Sequence, residues 1–431
     1  MKNHIELRFN FLKLITVVVL FFPQFQKFIG LAFEQLMTVA VTVLLFLFFF
    51  KDKYHTVFLS VVVSLIFLII FLIDLFRSIN FLIINDFFEI IKPFSFFIYF
   101  FAGYSLLNKT EKTEYFLWLM SLFYFIAILG IIEALFPPIG NIISLLYKDG
   151  RYVLKGKAVF SFISPYCLAT ILVLPIFYYF LLFFAEKKIR NLFYFTVCLL
   201  AMFLTQSKTV FLGFVLTFLI MLITIFRSKW LIGRKVLLKI SVGVIIIVII
   251  LIPIIISVAE RKFSYLYSGL KVFFNSLNGF DILKILNAQP STKIRFEQLR
   301  FAMENQDSIP LIGVAIGKKV LMPESFYALY LYRTGIIGIA IHCLMVYFAA
   351  KRSYFSAKYV SKKNQTHFNI KLSCLYYALF IFFISLTFSY FSAAVTDQTR
   401  VAFFFYIFLG HLYSLDKNSS YKNKYVFEVN K

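Results

Sequence analysis

Charge is what this chain has least of: 15% of its 431 residues are charged, while 61% are hydrophobic and the mean hydropathy is +0.87. So few charges cannot cover a soluble domain, and the class that remains is a polytopic membrane protein. Acid is the scarcer sign, with 20 Asp and Glu against 44 Lys and Arg, for a net charge of +24. That excess does not describe a nucleic-acid binder, because the cations lie in short clusters between apolar runs and leave no soluble basic face. Positive-inside topology accounts for them. Cysteine is sparse as well. Cys167, Cys198, Cys343 and Cys374 each fall in an apolar run, with no CxxC pair and no histidine at ligand spacing, so they read as core filling and not as a metal site. There is no Walker-type GxxxxGK[ST], no internal repeat and no low-complexity tail.

What the chain does have is apolar sequence in lengths that cross about 30 Å of hydrocarbon. Windows at 11–22, 33–50, 57–76, 87–107, 115–136, 159–184, 192–205, 210–226, 236–258, 326–350, 372–391 and 401–412 read as spans. The expected fold is therefore an all-α polytopic integral membrane protein of about twelve transmembrane helices. The first window follows Lys2, Arg8 and Lys13 as in a signal peptide, yet no small-residue cleavage site comes after it, so it reads as a retained span.

Alternate loops separate by charge. Lys51 and Lys53, Lys109 and Lys112, Lys187, Lys188 and Arg190, Arg227 to Lys235, the run 351–371 and both termini form the basic set, which places both termini in the cytoplasm. On this reading residues 1–258 hold the first nine spans with a smaller outer loop at 137–157. Residues 259–324 form one long extracytoplasmic loop, 325–415 hold the last three spans, and 416–431 are a cytoplasmic tail. Both outer segments keep cations against the charge rule, including Arg151, Arg295 and Arg300. An anionic ligand at the outer face is the simplest reason for them.

The stretch STKIRFEQLRFAMEN ending the long loop reads as an amphipathic helix on the outer leaflet. Its Arg295 and Arg300 either touch lipid headgroups or pair with a diphosphate, whose oxygens match the guanidinium fork. Glu324 sits before the run that begins at Phe326, where it either complements a helix dipole or serves as a general base or acceptor-binding carboxylate. Arg333 lies nine residues further, about 13 Å along a helix, and an intramembrane arginine is a functional hypothesis by default. Lys208, in LTQSKTVFLGF, is a snorkelling anchor or a phosphate contact. Asp397 and Arg400, in the last outer turn, are close enough in sequence to pair with each other. His342 and His411 fall inside spans and read as hydrogen-bonded core. The GVAIG segment, Gly313 to Gly317, reads as a turn.

These segments, in this order, resemble the O-antigen polymerase and ligase superfamily of membrane glycosyltransferases over roughly residues 150–410. Gly150-Arg151, Gly156 and SFISP resemble the family's Arg-Gly-Phe-Pro segment, and TQSKTVFLGF its Ser-Arg segment, with Lys208 where arginine is usual. The run STKIRFEQLRFAMEN, then LIGVAIG, then ESFYALYLYRTGIIG resembles its succession of Arg, Gly-x-Gly and Gly-Ile-Ile-Gly. Ligases of the superfamily carry a histidine eleven residues before that last motif; here the position is Glu324, which favours a polymerase. The resemblance implies oligosaccharide repeat units on undecaprenyl diphosphate as substrates, in O-antigen, capsule or exopolysaccharide synthesis at the bacterial plasma membrane. Glu324 and Arg295 are then the expected catalytic pair, and Arg295, Arg300, Arg151 and Lys208 the diphosphate contacts; Arg333, Asp397 and Arg400 are further candidates. No metal and no cofactor is expected, and a chain-length regulator and a flippase are possible partners. A ligase-type transferase and a lipid-linked oligosaccharide flippase or other transporter are the alternatives.

Overall fold

The structure, a computed structural model, describes residues 2–24, 33–49, 87–106, 114–147, 156–228, 290–304, 311, 313, 324–362 and 366–414. Arg151, the windows read at 57–76 and 236–258, and the tail 416–431 lie outside the described residues. Among the described residues every regular element is helical. In chain order they are α1 (Lys2–Phe21), α2 (Phe33–Phe49), α3 (Phe87–Leu106), α4 (Glu114–Leu135), α5 (Pro137–Tyr147) and α6 (Pro165–Glu186). There follow α7 (Ile189–Leu204), α8 (Lys208–Ser228), α9 (Pro290–Glu304), α10 (Phe326–Lys362), α11 (His367–Ser389) and α12 (Thr399–Ser414), with a 3-10 turn at Val395–Asp397 before α12.

Among the described residues, five helices are long and apolar enough to cross a membrane: Glu114–Leu135, Pro165–Glu186, Lys208–Ile225, Phe326–Lys362 and His367–Ser389. Shorter apolar helices cover Phe9–Phe21, Leu36–Phe48 and Ile189–Leu204. Length and composition thus support five of the twelve expected spans. The window read at 401–412 became α12, a helix of 16 residues in which every position from Arg400 to Ser414 is buried. It is enclosed by other helices, α3 and α10 among them. Two loop readings are also corrected. Pro137–Tyr147 is a helix, opened by prolines that fit the first helical turn, and α10 continues to Lys362, past the apolar run read as ending at 350. Hydropathy marks where apolar sequence stops, not where backbone hydrogen bonding stops.

Large apolar side chains face outward from the bundle, among them Leu14 at 60%, Leu47 at 58%, Ile223 at 54% and Tyr347 at 55% exposure. Water would make such a surface aggregate, whereas lipid matches it. Inside, where lipid gives helices no hydrophobic reason to associate, small residues and rings supply close packing. Gly103 of α3 and Gly410 of α12 let the two backbones approach until a Cβ at 103 would lie 2.8 Å from Ile407 Cα, and one at 410 would lie 2.8 Å from Tyr104 N. Phe96 stacks on Tyr406 at 4.6 Å across the same seam.

Chain direction alternates, so the helix ends sort into two sets. At one end the carbonyl of Glu324 accepts from Ala394 N at 2.8 Å, and Thr209 touches Ser392. Glu186 marks the other end, pairing with Lys188 and with His367 at 3.2 Å each.

Candidate functional site

Helix α9 carries Arg295 to the mouth of α10, where its Nη2 lies 2.5 Å from Glu324 Oε2. The arginine side chain is 19% exposed and the carboxylate 68%, so the pair opens to the exterior from the carboxylate side. Gln298, one turn along α9, locks the arrangement: its Oε1 accepts from Arg295 Nη1 at 3.1 Å, from Glu324 N at 3.2 Å and from Ser325 N at 3.3 Å. Ser325 Oγ in turn accepts from Ala328 N at 3.2 Å, a helix N-cap. Sequence reading passed over Gln298. Its spacing of three from Arg295 on a helix was the signal available.

Beyond the mouth, α10 is interrupted. Gly335 has φ 65 and ψ −165, a conformation open to glycine alone among the usual residues. The break receives the segment before α10: Leu311 O accepts from Ile337 N at 3.2 Å, and a Cβ at Gly313 would lie 2.6 Å from the backbone of Arg333 and Gly335. Arg333 Nη1 is 3.7 Å from Asp397 Oδ2, and Lys92 Nζ of α3 is 3.3 Å from the same oxygen. Asp397 is 7% exposed, so one acid is held between two cations below the Arg295–Glu324 pair in the chain of contacts through Ala394.

The expected Asp397–Arg400 pair is not formed. Arg400, 2% exposed, donates from Nε to Val19 O and from Nη2 to Phe22 O at 2.8 Å each, and its guanidinium lies 5.5 Å from the ring of Tyr147. It closes the C-terminal end of α1, whose last carbonyls have no partner within the helix. Asp397 belongs to the 3-10 turn and Arg400 to α12, and each meets a different neighbour. Arg300 is likewise apart from the site: it pairs with Glu304 at 2.6 Å with 76% of its side chain exposed. Both histidines read as core are hydrogen-bonded there, His342 to Tyr390 Oη at 2.7 Å and His411 to Tyr376 Oη at 3.1 Å.

Lys208 opens α8 beside a pair of facing turns. One runs from Gly156 to α6 and the other joins α7 to α8; each holds a non-glycine residue in the left-handed region, Phe160 at φ 46 and Gln206 at φ 56. Such a conformation costs about 1–2 kcal/mol per residue. Ala158 N donates to Leu204 O at 2.9 Å and Gln206 Nε2 to Gly156 O at 3.1 Å, lacing the turns together. Glu133 of α4 completes the first turn, its Oε2 accepting from Val159 N at 2.8 Å and from Phe160 N at closer range. Hydrogen bonds to a charged group contribute about 1.5–3 kcal/mol, enough to offset the strained φ. Lys157 is half-buried between these turns, and burial pulls its ammonium below the ordinary lysine range. Glu133 was missed in the sequence, although an acid inside an apolar window is itself a signal.

No three His, Cys, Asp or Glu side chains gather at ligand distances among the described residues. The arrangement offers a solvent-facing carboxylate backed by a fixed guanidinium, two lysines in a neighbouring pair of turns, and a buried Asp held by two cations. Such a set can accept a proton from a hydroxyl and hold an anionic leaving group. Compared with known proteins, the chain matches no family model, no curated protein and no solved structure.

Proposed function

We propose that this chain is a membrane glycosyltransferase that polymerises lipid-linked oligosaccharide repeat units, with the Arg295–Glu324 pair at its centre. The observation that carries the reading is that pair itself: residues 29 apart in sequence meet at 2.5 Å at the mouth of an apolar helix. In the proposed step an acceptor sugar hydroxyl attacks the anomeric carbon of the growing glycan. The new C–O bond forms as the bond from that carbon to the diphosphate oxygen breaks. The hydroxyl proton passes to Glu324, and the electron pair leaves with undecaprenyl diphosphate, whose added charge Arg295 and Lys208 stabilise. Preorganised cations act most strongly where water is scarce. The mouth of α10 is then the extracytoplasmic face, both termini are cytoplasmic, and the membrane is the bacterial plasma membrane. Arg151 and Arg300 are supporting cations toward the outer phosphate or headgroup layer.

The test is a gel of surface polysaccharide from cells lacking the gene and from cells complemented with it. A ladder of chain lengths that collapses to one repeat on its acceptor, and returns on complementation, supports the polymerase. Loss of even the single repeat, with finished polymer held on its lipid carrier, would overturn it in favour of a ligase. One observation favours a second reading, a lipid-linked oligosaccharide transporter: α10 is discontinuous at Gly335, as transporter helices are near their substrate. Repeat units stalled on the cytoplasmic face would support that reading.

A further inference from the structure

Glu133 has a use that the reaction step leaves unexplained. It lies in the apolar span α4, only 6% exposed, where an acid is expensive to keep. One oxygen takes both amides of a turn bent into the left-handed region at Phe160, and charge-assisted bonds of this kind are about twice as strong as neutral ones. What the turn delivers is Lys157, half-buried in a turn laced by the Ala158–Leu204 and Gly156–Gln206 hydrogen bonds to the one that leads into Lys208, so that the two ammonium charges face one region and repel. Two hydroxyls in the same turns, Ser161 Oγ at 0% and Ser207 Oγ at 4% residue exposure, are buried without a hydrogen-bond partner among the described residues. A pair of like charges carries a cost that a bound oxyanion would relieve. Lysine is flexible, with a four-carbon stem, so the backbone beneath it has to be fixed if its ammonium is to stay in place.

We propose that Glu133 is a positioning residue: from inside the membrane span it holds the 156–161 turn so that Lys157 stands beside Lys208 and the two present one anion-binding face. The purpose of that face rests on the reading of Lys208 as a diphosphate contact, but the positioning can be measured without it.

The experiment places a cysteine at the turn, Lys157→Cys, and measures its modification by a membrane-impermeant maleimide in intact full-length protein. The same measurement at Phe391→Cys, in the neighbouring 390–394 turn, serves as control. Three changes at Glu133 are compared. Glu133→Gln keeps a carbonyl oxygen for both amides and gives up only the charge assistance, so of the three it should raise labelling least. Glu133→Asp withdraws the carboxylate by about 1.5 Å, and Glu133→Leu removes it. Both should raise labelling at 157, by about tenfold for Leu, while position 391 is unchanged. Equal labelling at 157 in all four backgrounds overturns the proposal, as does a parallel rise at 391, which would mean general loosening. Because Asp keeps charge and polarity, it decides the matter if the Leu variant fails to fold. With native Lys157 restored, Glu133→Asp should also shorten the glycan ladder. A shift in labelling with an unchanged ladder leaves the positioning intact and defeats the diphosphate reading instead.

Discussion

Arg400→Leu is expected to destabilise this protein without altering its chemistry. The guanidinium gives two hydrogen bonds of 2.8 Å to Val19 O and Phe22 O, both at the end of α1, and lies 5.5 Å from the Tyr147 ring. Hydrogen bonds from a charged donor contribute about 1.5–3 kcal/mol each. The cation–π contact adds roughly 0.5–2 kcal/mol. Against this stands the desolvation of an arginine that is 2% exposed, which leucine no longer suffers. The balance is a loss of about 3 kcal/mol, since the carbonyls of Val19 and Phe22 both lose this charged donor. Spread over a chain of this size, that lowers the melting temperature by roughly 3 °C. Arg400→Lys should recover part of it, because an ammonium reaches one carbonyl well and the second poorly. The assay is thermal unfolding of purified protein in detergent, alongside the glycan ladder at matched protein levels. An Arg400→Leu protein with the parent melting temperature and no polymer would refute the reasoning and return Arg400 to the chemistry.

Three further outcomes follow from the packing and charges. Asp397→Asn leaves Lys92 and Arg333 without their shared acid and should cost about 3–5 kcal/mol; adding Lys92→Met should restore part of the folded yield, read by size-exclusion chromatography. Gly410→Ala would place a methyl 2.8 Å from Tyr104 N, against backbone that cannot rotate away, and should destabilise by about 1–3 kcal/mol in the same thermal assay. Lys157 is depressed by burial, so its charge is lost at a lower pH than that of an exposed lysine. For such a base the folded state disfavours the proton: the penalty is present below the unfolded value of about 10.4 and vanishes as pH rises through it. An anionic lipid that needs the charged form should therefore begin to lose affinity at lower pH in the parent than in Lys157→Arg, which stays charged; coincident pH profiles would contradict this.

The parts of the site that a linear reading exposes are those at boundaries. Glu324 stands out because it is a charge next to an apolar run and Arg295 because it lies in an amphipathic stretch, and a membrane surface gathers such residues whatever their separation in sequence. The start of α10 at Phe326 is legible for the same reason. What depends on a particular backbone conformation is not legible. The Gly335 break follows Arg333 and Thr334 with no proline to announce it, and only the segment at Leu311 and Gly313 filling it makes the positive φ useful. Asp397 and Arg400 look like a pair at a spacing of three, yet the 3-10 turn ends between them and partners from α1, α3 and α10 compete successfully for each. The helix α12 shows the limit of hydropathy most simply. Sixteen residues of apolar sequence describe a short membrane span and a fully enclosed central helix equally well.

The exposed Arg295–Glu324 pair contributes little to stability, about 0–1 kcal/mol, so its loss should be read in chemistry and not in folding. The most direct measurement is the glycan ladder from cells carrying Arg295→Ala or Glu324→Gln, with each protein present at the parent level and melting within about 2 °C of it. The account predicts single repeat units on the acceptor where the parent makes long chains. Parent-length chains from either variant would contradict it.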